Sequence, residues 1–192
     1  MPDLFRRGAG RLCLDFTRTL RHRGTEHAVE ELPDGPALAA WVGQCGPVAP
    51  VPGSVVPAAI VRDAHELREA VYALVAAART RAGAAAAGGA PRERVNQAAA
   101  RTVPTPALGE RGELRWYAND PVTSTLALVA RDALDLVTSP AVQRIRECAD
   151  PACDAVFLDG SRPGSRRWCS MDSCGNRAKK QRRRSESARV AV

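Results

Sequence analysis

At 192 residues, with 45% hydrophobic but only 4% aromatic content, the chain has room for one ordinary domain and a small accessory module, packed mainly through Ala, Val and Leu. No apolar run approaches the roughly 20 residues that a bilayer span needs, and the opening MPDLFRRGAG lacks the apolar stretch of an export signal, so a cytosolic protein is expected. The net charge of +7 is unevenly placed: 16 basic residues face 15 acidic ones in 1–140, but 12 face 6 from 141 onward, an asymmetry that points to a polyanion partner for the C-terminal quarter.

In RLCLDFTRTL, residues 11–20, Leu12, Leu14 and Phe16 alternate while Phe16 and Leu20 stand at helical spacing, so periodicity leaves helix and strand both open. The segment PDGPALAAWVGQC predicts a short helix: Asp34 can cap it, Pro36 suits its first turn, and Leu38, Trp41 and Val42 share a face. Prolines and glycines make 46–57 a loop. From 57 to 83, Ile60, Ala64, Leu67, Val71, Leu74, Val75 and Ala78 recur at spacings of three and four, which predicts a long amphipathic helix.

AGAAAAGGAP, residues 82–91, reads as a flexible connection, followed by a weaker helix over 92–101 and a strand of a small hairpin at ELRWY, 113–117. Asp120 and Pro121 open another helix, with Leu126, Val129, Ala133, Leu136 and Val137 on one side and Ser139-Pro140 at its end. AVQRIRE, 141–147, reads as a short helix leading to Cys148. His22, His27 and His65 lack catalytic spacing: His65, on the charged side of its helix, is expected at the surface, and His22 and His27 are set aside as metal ligands because no third ligand is indicated, while Cys13 and Cys45 are expected as buried thiols. No paired-carboxylate motif, P-loop or nucleophile elbow occurs, so no enzyme is expected.

The remaining cysteines are concentrated: Cys148, Cys153, Cys169 and Cys174 form C-x4-C-x15-C-x4-C. Two short-loop pairs separated by a longer excursion can aim four sulfurs at one tetrahedral ion. Two disulfides or an iron–sulfur cluster would use the same residues, but a cytosolic setting disfavours the first and the usual cluster spacings differ from these. Zinc is the favoured reading, because 45 residues with only Val156, Phe157, Leu158, Trp168 and Met171 as large apolar members cannot hold together by burial alone. With four thiolates the metal has no open position, so its role is structural.

Within this module CADPAC reads as a turn, AVFL as a strand, DGSRPGS as a turn and RRW, 166–168, as a return strand delivering Cys169. A basic helix follows, capped either by Ser170 or by Asn176. The expected architecture is thus mainly α. A helical N-terminal domain with a small β-hairpin occupies 1–140, a treble-clef-like four-cysteine zinc module ending in a basic helix occupies 141–184, and 185–192 form a disordered tail.

CADPACDAVFLDGSRPGSRRWCSMDSCGNRAKKQRRR closely resembles the CGNR zinc finger, whose naming tetrad stands at Cys174, Gly175, Asn176 and Arg177. Upstream, LCLDFTRTL is similar to the leucine-rich LDF-x-N-T opening of the ABATE domain that accompanies that finger, and LPDGPALAAWV and HELREAVYALV resemble its next helices. Arg18 departs from the pattern by standing where asparagine is expected. The resemblance implies a bacterial, stress-linked transcription regulator with a largely helical N-terminal fold.

A zinc site and four thiolates together carry about −2, which nearby arginines can offset, but the basic run holds more cations than one site can use. Arg162, Arg166, Arg167, Asn176, Arg177, Lys179, Lys180, Arg182, Arg183 and Arg184 are therefore the candidate nucleic-acid contacts. Few aromatics are available for stacking on single strands, so duplex DNA is the expected partner and a nucleoid-associated location follows. The helical domain would supply small-molecule effector sensing, homodimerisation or both. The alternatives are a zinc-stabilised protein-interaction adaptor and a non-specific nucleic-acid binder.

Overall fold

Asp34 accepts the Ala37 N–H at 2.9 Å with Pro36 in the first turn, and from that start α2 runs Gly35–Cys45, burying Leu38, Trp41 and Val42. The computed structural model describes residues 4–151 and 153–190. α1 spans Leu12–Thr17, and it settles the ambiguous N-terminal segment as a helix. Its own N-cap, Arg11, makes no side-chain capping bond; instead Asp132 accepts the Cys13 N–H at 2.8 Å and binds the Arg11 guanidinium. That carboxylate belongs to α5, Pro121–Thr138, which is itself capped by Asp120 onto the Thr123 N–H. A long-range carboxylate thus does for α1 what local sequence does for α2 and α5.

α3, Ala58–Ala78, is the predicted amphipathic helix, with Ala64, Leu67, Val71, Leu74, Val75 and Ala78 buried as read. Val61, not Ile60, begins that face, and Arg68 lies on it with a side chain only 3% exposed. Arg68 is satisfied by Glu30 at 2.7 and 2.5 Å, by Thr19 at 3.1 Å and by Glu69 at 3.0 Å, so the buried charge is neutralised and hydrogen-bonded. Glu30 sits on a minimal hairpin of β1, Leu20–Arg21, and β2, Val29–Glu30. His65, expected at the surface, is half-buried because its Nε2 reaches the Leu32 carbonyl oxygen at 2.8 Å.

Residues 84–87, expected as flexible connection, form a 3-10 turn whose Ala84 and Ala87 pack against the core. Small side chains let that backbone lie directly on α3. α4 follows at Gly89–Ala99, then the hairpin of β3, Thr105–Leu108, and β4, Leu114–Tyr117, paired Leu108↔Leu114 at its closed end. The predicted helix over 141–147 does not form. A 3-10 turn at Pro140–Arg144 leads instead to β5, Ile145–Glu147, which pairs antiparallel with β6, Val156–Leu158. Ile145 is buried by that ladder, a stabilisation that local periodicity cannot register.

The core centres on α1, held between α3 and α5. Leu14 and Phe16 are fully buried, and the Phe16 ring lies 4.9 Å from that of Trp41 on α2. Phe157, Cys169 and Cys174 of the C-terminal module join the same apolar cluster. No helix among the described residues is long and apolar enough to cross a membrane. Truncating Phe16 to Ala should therefore cost about 3–5 kcal/mol through the cavity it leaves. Equilibrium denaturation would read this as a lowered midpoint with an unchanged slope, and an unmoved midpoint would contradict the central place given to α1.

Candidate metal centre

The β5–β6 ladder continues one step beyond its last pair, because the Cys148 N–H donates to Ala155 O at 2.9 Å. Cys148 therefore leaves β5 and Cys153 precedes β6 across a tight turn, closed by the Cys153 N–H on Asp150 O at 2.8 Å. On the other side, the Ala149 N–H donates to Arg167 O at 2.8 Å and the Cys169 N–H donates to Cys148 Sγ at 3.5 Å, drawing Cys169 inward. Residues 166–168, expected as a return strand, are irregular. Apart from the Arg167 carbonyl on Ala149, their backbone is held by side chains: Asp159 accepts the Arg166 N–H at 3.0 Å, and the Arg166 guanidinium binds Trp168 O at 2.8 Å and, next along, Cys169 O.

Cys174 arrives on a single wide helical turn at Met171–Gly175, closed by the Gly175 N–H on Ser170 O at 3.0 Å. A Cβ on Gly175 would come within 2.9 Å of Met171 Sδ, so glycine lets this turn close over Met171. The capping expected of Ser170 is absent, since the wide turn begins after Ser170 without a side-chain capping bond, and Asn176 is instead the first residue of α6, Asn176–Val190. The Asn176 side-chain amide donates to Asp172 O at 3.3 Å, tying the turn to the helix. α6 continues past 184, where a disordered tail is expected, as far as Val190; residues 191–192 lie outside the described residues.

The four sulfurs lie within 4.8 Å of one another, with Cys153 and Cys169 at 3.7 Å and Cys169 and Cys174 at 3.7 Å. A tetrahedral zinc–thiolate site requires sulfurs about 3.8 Å apart, so the donor set fits one zinc ion in both kind and spacing. Cys169 and Cys174 are fully buried, Cys148 is 9% exposed and Cys153 is half-buried. Hydrogen bonding from Cys169 holds the Cys153 thiol down at about 5, while donating to Cys153, together with burial, pushes Cys169 upward. Burial and the charge on Cys153 raise Cys174 to about 12. The cluster accepts one negative charge easily and resists the next, so a central cation is what allows all four sulfurs to ionise. Bound zinc would supply crosslinking energy and no reactive position.

The module is seated on the N-terminal segment. The Leu158 N–H donates to Ala9 O at 2.7 Å, Arg166 reaches Gly8 O at 3.0 Å, and the Asp154 carboxylate accepts the His22 and Arg23 N–H groups at 3.3 and 2.6 Å. Gly10, at φ +88°, approaches so closely that a Cβ there would stand 3.1 Å from Leu158 O. Asp15 steadies this segment by accepting the Ala9 and Gly8 N–H groups at 2.8 and 3.3 Å. Asp154 was singled out by neither motif nor periodicity, whereas Asp15 stands as the acidic residue of the LDF-x-N-T pattern and Arg18 as the departure from it.

The candidate contacts divide by what they touch. Lys179, Lys180, Arg182, Arg183 and Arg184 are exposed on α6, and Arg162 and Arg167 are exposed on the loop before Cys169, with the Arg167 guanidinium 5.1 Å from the Trp168 ring centre. Arg177 is half-exposed and pairs with the buried Asp150 at 3.1 Å. Arg166 is half-buried and engaged with Phe157, Trp168, Cys169 and Gly8. His22 and His27 join no metal-ligating group; among the described residues, such a grouping is formed by the four cysteines.

Residues 10–140 match the model of the ABATE family, "Putative stress-induced transcription regulator", and residues 144–186 match that of the CGNR zinc finger. No curated protein matches the chain. The chain should carry one zinc per molecule when purified without chelator. Cys169→Ser should lose it and unfold the C-terminal module, whereas Cys45→Ser should retain it; elemental analysis of the two variants checks the assignment, and metal retained by Cys169→Ser would overturn it.

Proposed function

We propose, on the premise that the chain belongs to the ABATE family and ends in a CGNR zinc finger, that it is a zinc-dependent regulator of transcription that binds duplex DNA through α6. The observation that carries this reading is the position of α6: its exposed Lys179, Lys180, Arg182, Arg183 and Arg184 follow directly from the turn that delivers Cys174. Holding Cys148, Cys153, Cys169 and Cys174 on one ion fixes that turn, and the turn fixes the direction in which the charge points. A rigid row of cations suits a phosphate backbone, where such contacts set position and register.

On this reading α6 and the exposed Arg162 and Arg167 meet phosphate, Arg166 belongs to the module's own framework, and Asn176 and Arg177 brace the start of the helix. The helical part, 1–140, carries the regulatory input, as an effector site or a homodimer contact, and 141–184 carries the DNA contact near the nucleoid. A protein-interaction adaptor built on the same zinc module is the competing reading.

If Lys179, Lys180, Arg182, Arg183 and Arg184 with Arg162 or Arg167 neutralise about six phosphates, log affinity should fall with log salt at a slope of about −5, roughly a thousand-fold between 50 and 200 mM. Lys179→Gln combined with Lys180→Gln should flatten that slope by about 1.8. Fluorescence anisotropy with labelled duplex, with and without chelator, measures both quantities. Weak binding indifferent to salt and to zinc would favour the adaptor instead.

A further inference from the structure

Arg18 sits at the end of α1 with a side chain 3% exposed, yet its guanidinium is poorly provided for within its own domain. Its Nη1 reaches Arg7 O at 3.3 Å and Asp15 Oδ1 at 3.4 Å, both long, and its Nε has no hydrogen-bond partner. The two carboxylates near it are incomplete counter-charges. Asp15 already serves the Gly8 and Ala9 N–H groups, with burial pushing its carboxyl above the usual range despite Arg18. Glu31 acts on Arg18 only through its field, while its carboxylate pairs with Arg21 at 2.9 Å. A guanidinium offers five donors and stays charged, so burying one in this state is costly unless more negative charge lies beside it. That charge is available at the remaining edge, where Nη2 faces Cys169 Sγ at 3.9 Å across 151 residues of sequence.

We propose that Arg18 is a positioning residue for the metal centre, an outer hydrogen-bond and charge partner supplied by the helical domain to Cys169 of the zinc module. The proposal rests on the zinc-site reading above. Four thiolates around a dication carry about −2, and Arg18, buried and adjacent, offsets part of it where water cannot. A hydrogen bond to a ligating sulfur also fixes its orientation, and outer partners of this kind commonly change metal affinity by about 10–100-fold when removed. Because Arg18 lies on α1 and Cys169 in the module, metal binding and the packing of α1 stabilise each other by the same amount, as linkage requires. The site is therefore assembled from both parts of the chain, and the arginine at the position where LDF-x-N-T has asparagine acquires a physical purpose.

The test uses the full chain with Arg18→Gln and Arg18→Lys, each checked for native helix content by circular dichroism. In competition with a chromophoric chelator, Arg18→Gln should bind zinc about 10–100-fold more weakly and Arg18→Lys, which keeps the charge, should recover part of that loss. With cobalt in place of zinc, losing the hydrogen bond makes the sulfur a stronger electron donor, so the sulfur-to-cobalt charge-transfer band of Arg18→Gln should move to lower energy, a change that a packing defect alone would not produce. Unchanged affinity and an unmoved band in folded Arg18→Gln overturn the proposal. If Arg18→Gln does not fold, Arg18→Lys decides: intermediate affinity with a displaced band supports it, and the parent values overturn it. A parent cobalt spectrum lacking the pattern of four tetrahedral thiolates overturns the zinc-site reading itself, which separates the two failures.

Discussion

Four sulfurs within 4.8 Å of one another, two of them fully buried, cannot all be ionised without a cation among them. The architecture of the C-terminal quarter follows from that constraint. β5 and β6 are three residues each, the chain from 159 to 170 has no regular structure, and the large apolar side chains that are fully or nearly buried number few beyond Val156 and Phe157. Such a segment lacks the buried area to order itself. Metal coordination, on the order of 10–16 kcal/mol in small zinc modules, replaces the missing core, and the geometry of the ligand set becomes the geometry of everything attached to it.

The seam between the two parts is made of backbone more than of oil. Ala9 O accepts from Leu158, Gly8 O from Arg166, and Asp154 takes two consecutive N–H groups at His22 and Arg23. Hydrogen bonds of this kind are directional, and Gly10, at φ +88°, takes a backbone conformation that a side chain would strain while a Cβ would crowd Leu158 at 3.1 Å. The module therefore docks in one register, with α1 beneath it as the element common to both parts. Asp15 and Arg18 at α1 and Cys169 of the module follow one another in contact across this seam.

What the sequence disclosed and what it hid separate by range. α2, α3 and α5 were legible because their signals are local: Asp34 and Asp120 as caps, prolines in first turns, and apolar residues every third or fourth position. The ligand set was legible for the same reason, since each cysteine pair is closed by one short turn. The helix expected over 141–147 gives way to a strand because the partner that buries Ile145 lies more than ten residues away and no local pattern announces it. Nothing local marks Arg68 as buried, because the Glu30 that makes its burial tolerable is 38 residues distant. Arg18 was visible only as a departure from a motif, because its partner Cys169 belongs to the other end of the chain.

α6 closes the argument by a balance of local terms. Arginine and lysine are good helix formers, but Lys179 with Arg183 and Lys180 with Arg184 place like charges four residues apart, each pair opposing the helix by about 0.2–0.5 kcal/mol. The helix buries little of its own: its side chains from 179 to 184 are exposed. Its start is instead fixed by the turn carrying Cys174 and by Arg177 on Asp150, so the repulsive part begins from an anchored first turn and avoids the cost of nucleation. On the proposed function, a phosphate backbone would neutralise these same cations and reverse the sign of their mutual interaction. The like-charge pairs would then leave α6 under a modest electrostatic load that a polyanion eases, so on that function a charged surface complements this helix better than a neutral protein face.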